Sequence, residues 1–151
     1  MSSCDDTLTN IFDQVIEGWD IPKPTSLNLL KASNAATKLD GAPYSALTNL
    51  AHAVLWQDAW LARLRGEQVK QQELWENDFR VPDVEEYPTL RRRFVEGLSE
   101  ARRYAKGELK HGRESDAKAR DILVGIAVHA SYHMGQVSLL SRMAKAGRPG
   151  S

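Results

Sequence analysis

Between Pro88 and Pro149 the chain contains no proline, and from Ser115 to about Lys145 it repeats its apolar and chemistry-bearing residues at helical spacing. At 100° per residue Ile122, Ile126, His129, His133, Gln136 and Leu140 fall on one stripe, with Gly125 and Met143 at its edge. A helix of that length spans about 45 Å, so a compact fold must be built along it. Ser115 supplies a capping hydroxyl at its start, and Gly147 and Pro149 end it. No segment shows the period-two alternation of β-branched residues that marks a strand, which makes the expected class all-α.

The other helices follow from the same signals. Asp5 or Thr7 caps a first helix through Leu8, Ile11, Phe12, Val15 and Ile16, and Gly18 stops it, giving a helix near 6–18. Pro22 and Pro24 mark a loop, and a weaker helical stretch over 26–39 contributes Leu27, Leu30 and Leu39 before Gly41 and Pro43 break it. Nothing interrupts the chain from Tyr44 to Leu64, so a helix is expected over 44–65, closed by Gly66 with Arg63 and Arg65 near its C-terminus. Residues 67–88 mix acidic side chains with Trp75, Phe79 and two prolines and read as an excursion with about one helical turn. Pro88 fits the first turn of a helix over 89–106 whose ladder is Leu90, Phe94, Leu98, Ala101 and Ala105. Four substantial helices in one domain over 1–151 predict an antiparallel four-helix bundle.

Composition narrows the function classes. Twenty Lys+Arg against twenty Asp+Glu leave no net charge, so no broad positive field favours nucleic acid or anionic lipid. Arg91-Arg92-Arg93 falls largely off the apolar ladder and reads as a solvated face. The longest apolar run, Ile122 to Val128, is far shorter than the roughly 20 residues that span a bilayer. The single cysteine, Cys4, forms no internal disulfide, and the first residues lack the character of a secretory signal, so a cytoplasmic location is expected.

Chemistry concentrates in the histidines. Of four in the chain, His129 and His133 stand four apart on the apolar stripe, where chance predicts on the order of 0.1 such pairs. Two imidazoles among Ile and Leu need partners for their ring nitrogens, at roughly 1–3 kcal/mol for each group left unsatisfied. A divalent metal meets that need, because residues four apart on a helix hold both rings within reach of one ion; a pair of core histidines bonded to Ser, Tyr or backbone is the alternative. Ala130 directly follows His129, where a zincin protease requires a glutamate general base, which excludes that chemistry. A metal needs at least a third protein ligand. His111 lies in the polar loop Lys110-His-Gly-Arg113 and reads as a surface residue. His52 shares a helix face with Ser45, Thr48, Trp56, Ala59 and Arg63, opposite Leu47, Leu50, Val54 and Leu61, so periodicity leaves both an exposed face and a cavity wall open.

Two segments, Leu50-Ala-His52-Ala-Val-Leu-Trp56 with Leu61-x-x-Leu64-x-Gly66, and His129-Ala-Ser-Tyr-His133-Met-Gly135-Gln136 with Leu139, Leu140 and Arg142, resemble the DinB/YfiT-like family of bacterial four-helix bundles. The stretch from Ile16-Glu-Gly-Trp19 through Pro43-Tyr-Ser45 is similar to that family's N-terminal part, so the resemblance covers nearly the whole chain. It implies that His52, His129 and His133 hold a divalent ion (Ni²⁺, Zn²⁺, Mn²⁺ or Fe²⁺) with water completing the sphere, and that the face carrying His52 is a cavity wall. Tyr132, Gln136 and Trp56 then stand where they can orient a ligand or a metal-binding ring, although each also has a plain packing role. Some members of the family use low-molecular-weight thiols, so the resemblance implies a thiol co-substrate and S-transfer to a small electrophile.

Three neutral ligands leave the charge of the ion uncompensated and a position open, as in a catalytic site, where a thiolate or a hydroxide serves as nucleophile. Metal-dependent hydrolysis is therefore the alternative reaction. Two non-catalytic readings stand beside it: a bundle stapled by its metal, and a metal-free interaction domain using Trp56, Trp60 and Trp75. A small-molecule substrate and a homodimer are the expected partners, with neither nucleic acid nor membrane.

Overall fold

The computed structural model describes residues 4–147, which are helical with no strand among them. Six α-helices span Asp6–Glu17 (α1), Ala32–Ala35 (α2), Ala46–Leu64 (α3), Gln71–Asn77 (α4), Tyr87–Ala105 (α5) and Asp116–Ala146 (α6). The capping residues read from the sequence act as caps. Asp5 accepts from the Leu8 backbone N–H at 3.0 Å and Ser115 from Lys118 at 3.2 Å, each satisfying a donor the first turn leaves without a partner. Gly66 adopts a φ of +84°, and the Gly112 backbone N–H donates to the Leu64 carbonyl at 2.8 Å, so a side chain at either glycine would separate two touching backbones.

The expected helix over 26–39 is replaced by a 3₁₀ turn at Pro24–Leu29 and the four-residue α2. Pro24 fixes the turn at its first position and removes a donor, and the tighter turn still buries Leu27. The excursion after α3 holds α4 and a 3₁₀ turn at Val84–Glu86 with a capping box between Asp83 and Glu86.

The four long helices pack on one another, with α3 against both α6 and α5, and α1 against α5 and α6. Residue pairs give the sense of each contact. Gln57 donates to the Phe94 carbonyl and Arg65 pairs with Glu100, so α3 and α5 run the same way. Asn49 meets Gln136 and His52 meets His129, so α3 and α6 run in opposite senses. The Asp5 N–H donates to the Ala105 carbonyl at 2.9 Å and Asp13 pairs with Arg102, which sets α1 against α5 in opposite senses as well. Leu90, Phe94, Leu98, Ala101 and Ala105 are all buried, as their ladder predicts. Arg92 and Arg93 are exposed and Arg93 pairs with Asp58; Arg91 lies over the Tyr87 ring.

One expectation for α6 shifts. Its buried face is Ala119, Leu123, Ile126, Ala127, Ala130, His133, Met134, Val137, Ser141 and Ala144, rotated from the stripe read in the sequence. Ile122, His129, Gln136 and Leu140 are half-buried at its margin. Four of these ten buried residues are alanines, which give little hydrophobic signal in the sequence. Among the described residues no helix is long and apolar enough to cross a membrane.

Candidate metal centre

α3 is buried on both sides along its first half, from Ala46 to Val54, so its polar residues there face the interior. Two of them, Asn49 and His52, stand three residues apart and meet Gln136 and His129 of α6; one turn further on, Trp56 directs its indole N–H to Asp78 instead. His129 and His133 answer from α6. One ligand nitrogen from each of His52, His129 and His133 lies within 4.8 Å of the others. His52 is 9% exposed and His133 4%, while His129 is half-buried and keeps one side of the cluster open.

The outer nitrogen of two of these rings is tied down. His133 Nδ1 lies 2.7 Å from Asn49 Oδ1, and the Asn49 amide N–H₂ donates to Gln136 Oε1 at 2.7 Å, which fixes the amide's orientation. The His133 ring must therefore donate from Nδ1 and carry its lone pair on Nε2. His52 Nδ1 lies 2.5 Å from Asp78 Oδ1, and a carboxylate only accepts, so His52 too presents Nε2 as the free base. His52 Nε2 and His129 Nε2 are 3.2 Å apart. Two nitrogens bound at tetrahedral angle to one ion at 2.0–2.1 Å stand about 3.4 Å apart, so this pair fits a shared metal.

Burial holds His129 down to about 3, with the neighbouring His133 and His52 adding to the effect, and burial followed by His52 holds His133 down to about 4. Both rings are neutral near pH 7, the form that binds metal. Three imidazoles suit several first-row ions.

An aromatic rim surrounds the cluster. Trp60 meets His129 edge-on at 4.8 Å between ring centres, and Trp56 lies 6.0 Å from Trp60. Trp56 Nε1 donates to the Asp78 oxygen at 3.1 Å, so this residue acts on His52 through the carboxylate both contact. Phe79 stacks on His52 at 4.0 Å and on Tyr44 at 4.9 Å. It does so at a φ of +50°, strained for a bulky residue and worth on the order of 1–3 kcal/mol.

The site residues expected from the sequence divide as follows. His52, His129 and His133 come together. Gln136 reaches the cluster through Asn49, Trp56 through Asp78, and Tyr132 by an edge contact with His133 at 5.1 Å while 62% exposed. Trp75 stands apart, 67% exposed on α4. His111 remains outside the cluster, yet it is not an open surface residue: its side chain is 10% exposed and is held by Asp116 at 2.7 Å and the Arg113 N–H at 3.1 Å. Sequence reasoning missed Asn49, Asp78 and Phe79. Asn49 was within reach, one turn before His52; Asp78 and Phe79 lie 26 and 27 residues away in an irregular segment, where no spacing points back to His52.

Comparison with protein-family models, curated proteins and solved structures gives no match to this chain.

Proposed function

We propose that the chain is a metal-dependent enzyme of the DinB/YfiT-like kind, a four-helix bundle that holds one divalent ion through His52, His129 and His133. The observation that carries the reading is the pair of anchored rings: Asp78 and Asn49 each occupy a Nδ1, so two Nε2 lone pairs are presented beside His129 before any ligand arrives. A structural staple would be served by a closed donor set, whereas three neutral ligands with His129 half-buried favour an open position.

A bound divalent ion supplies positive charge there, which favours the anionic form of a small thiol for attack on an electrophilic carbon. The chain's own residues set the stage. Asp78 stands behind His52 and fixes the orientation of its ring. Trp56, Trp60 and Phe79 present apolar surface that excludes water from one side and suits a polarizable sulfur. Asn49 and Gln136 keep His133 in one tautomer without adding charge.

Elemental analysis of the wild type against His129→Ala/His133→Ala tests the metal: about one ion per chain is expected in the wild type, and equal content in both refutes the assignment. Titration of the cobalt-loaded protein with glutathione, bacillithiol, mycothiol and a non-thiol control tests the reaction class. A new near-ultraviolet sulfur-to-metal band, lost in His52→Ala, is the expected result. A cobalt spectrum that ignores thiols but titrates with pH moves the reading to hydrolysis, and no response to either moves it to a staple.

A further inference from the structure

The last three turns of α6 and the loop that crosses them enclose a cavity away from the histidines. Its volume is about 600 Å³, within the range that holds small ligands, and it opens between α6 and residues 19–30. None of His52, His129 and His133 lines it. From α6 it takes Met134, Val137, Ser138, Ser141, Arg142 and Lys145, which recur at i, i+3, i+4, i+7, i+8 and i+11 and so form one helical face about 16 Å long. Spread over that length, the cavity is a channel roughly 6 Å across, the width of one unbranched chain.

The chemistry changes along the channel. At one end Met134 and Val137 form an apolar floor, and Leu27 and Leu30 belong to the facing wall. In the middle Ser138 is half-buried, and its hydroxyl has no partner among the described residues. At the other end Arg142 and Lys145 are both exposed, and neither makes an ion pair among the described residues. Their two charges outweigh the partial negative charge of the helix end, about half a unit. The carboxylate among the lining residues, Asp20, also borders a neighbouring cavity with Ser131, three residues before Met134, so it stands toward the apolar end and away from the cations. At the rim Trp19 and Leu29 are 90% and 89% exposed, and Lys23 lies 4.0 Å over the Trp19 ring, a third cation beside the channel.

We propose that this channel binds a small amphipathic anion, a carboxylate on an unbranched apolar chain, with its head group at Arg142 and Lys145 and its chain along Val137 toward Met134. A narrow apolar groove that ends in cations without partners matches a ligand apolar along its length and negative at one end. The planar guanidinium of Arg142 takes a carboxylate in two parallel hydrogen bonds, Lys145 adds a point charge, and the Ser138 hydroxyl is free to donate to the same head group. The chain in turn covers apolar wall that otherwise meets water. The site is independent of any metal at the histidines, which meet α3 from another face of α6.

Isothermal titration calorimetry of the full chain with decanoate, below its micelle concentration, tests the proposal. One saturable site is expected in the wild type. Its affinity should fall about tenfold or more in Arg142→Gln/Lys145→Gln, both surface changes, and by a similar factor for decanol, which keeps the chain and lacks the charge. Ser138→Phe fills the channel and should abolish binding, with circular dichroism unchanged in both variants. Because a carboxylate also coordinates metal, the titration is repeated after the protein is stripped of metal and dialysed, and the affinity should stay the same. The absence of saturable decanoate binding overturns the proposal, and equal affinity for decanoate and decanol overturns the anionic head group. Binding that survives Ser138→Phe puts the ligand elsewhere, and binding lost with the metal puts it at the histidine cluster; either result overturns the proposal. Sedimentation with phosphatidylcholine vesicles containing phosphatidylglycerol separates the free anion from a lipid surface. Vesicle binding in place of decanoate binding overturns the proposal and makes Trp19, Leu29 and the cations a membrane contact.

Discussion

Asp78, just beyond the end of α4, holds the ring of His52 at 2.5 Å from a position 26 residues further along the chain. The same oxygen receives the Trp56 indole N–H at 3.1 Å, so one carboxylate orients the His52 ring and is itself oriented by the turn of α3 that follows.

Removing that carboxylate should weaken metal binding without unfolding the chain. For Asp78→Ala, competition against a chromophoric chelator should give an affinity about 10–100-fold lower, with the helical circular dichroism retained. Trp56→Phe, which leaves the carboxylate in place, should lose less. Equal affinity in Asp78→Ala and wild type would show that the contact does not support the ligand.

The backbone at Phe79 gives a separate test. Alanine and glycine at this position both remove the ring stacked on His52, but only glycine adopts a φ of +50° without strain. Urea denaturation should therefore find Phe79→Gly more stable than Phe79→Ala by about 1 kcal/mol. The reverse order would mean that residue 79 leaves the left-handed region in solution.

Acid should destabilise the metal-free protein through its histidines. In the fold His129 titrates near 3 and His133 near 4, against 6.5 for an ordinary histidine. Between those values the unfolded chain takes up protons that the folded chain does not, so stability rises with pH in this window. The contribution is fully present above 6.5, declines as the pH falls, and stops declining near 4 for His133 and near 3 for His129. Urea midpoints measured in chelator from pH 7.5 to 4.5 should fall, and His129→Gln/His133→Gln should flatten the slope.

At the contact of α3 with α5, Gly97 faces the buried amide of Gln57, whose Nε2 donates to the Phe94 carbonyl at 3.0 Å. A methyl group there meets that amide head-on, so Gly97→Ala should destabilise by about 1–3 kcal/mol despite alanine's better helix propensity. Adding Gln57→Ala should recover part of the loss, since the two changes share one space. Thermal melts of the two single variants and the double variant give the coupling directly.

The helices were legible because their signals are local. Asp5, Ser115, Gly66 and the ladder from Leu90 to Ala105 act through neighbours three or four residues away, so composition and spacing suffice to read them. Over 24–35 the same logic failed: Pro24 and the demand to bury Leu27 produced a tight turn where a weak periodicity suggested one helix.

The pairing of His129 with His133 was fixed by the sequence itself, since four residues on a helix leave no other neighbourhood. Whether His52 joined them was not. Its helix face reads equally well as exposed or enclosed, and only the burial of α3 against α6 turns that face inward. Asp78 and Phe79 depend still more on the tertiary structure, because contacts across 26 and 27 residues arise from how the chain returns after α4 and leave no periodic trace. The sequence set the chemistry of the donors; packing decided which of them meet, and which nitrogen each presents.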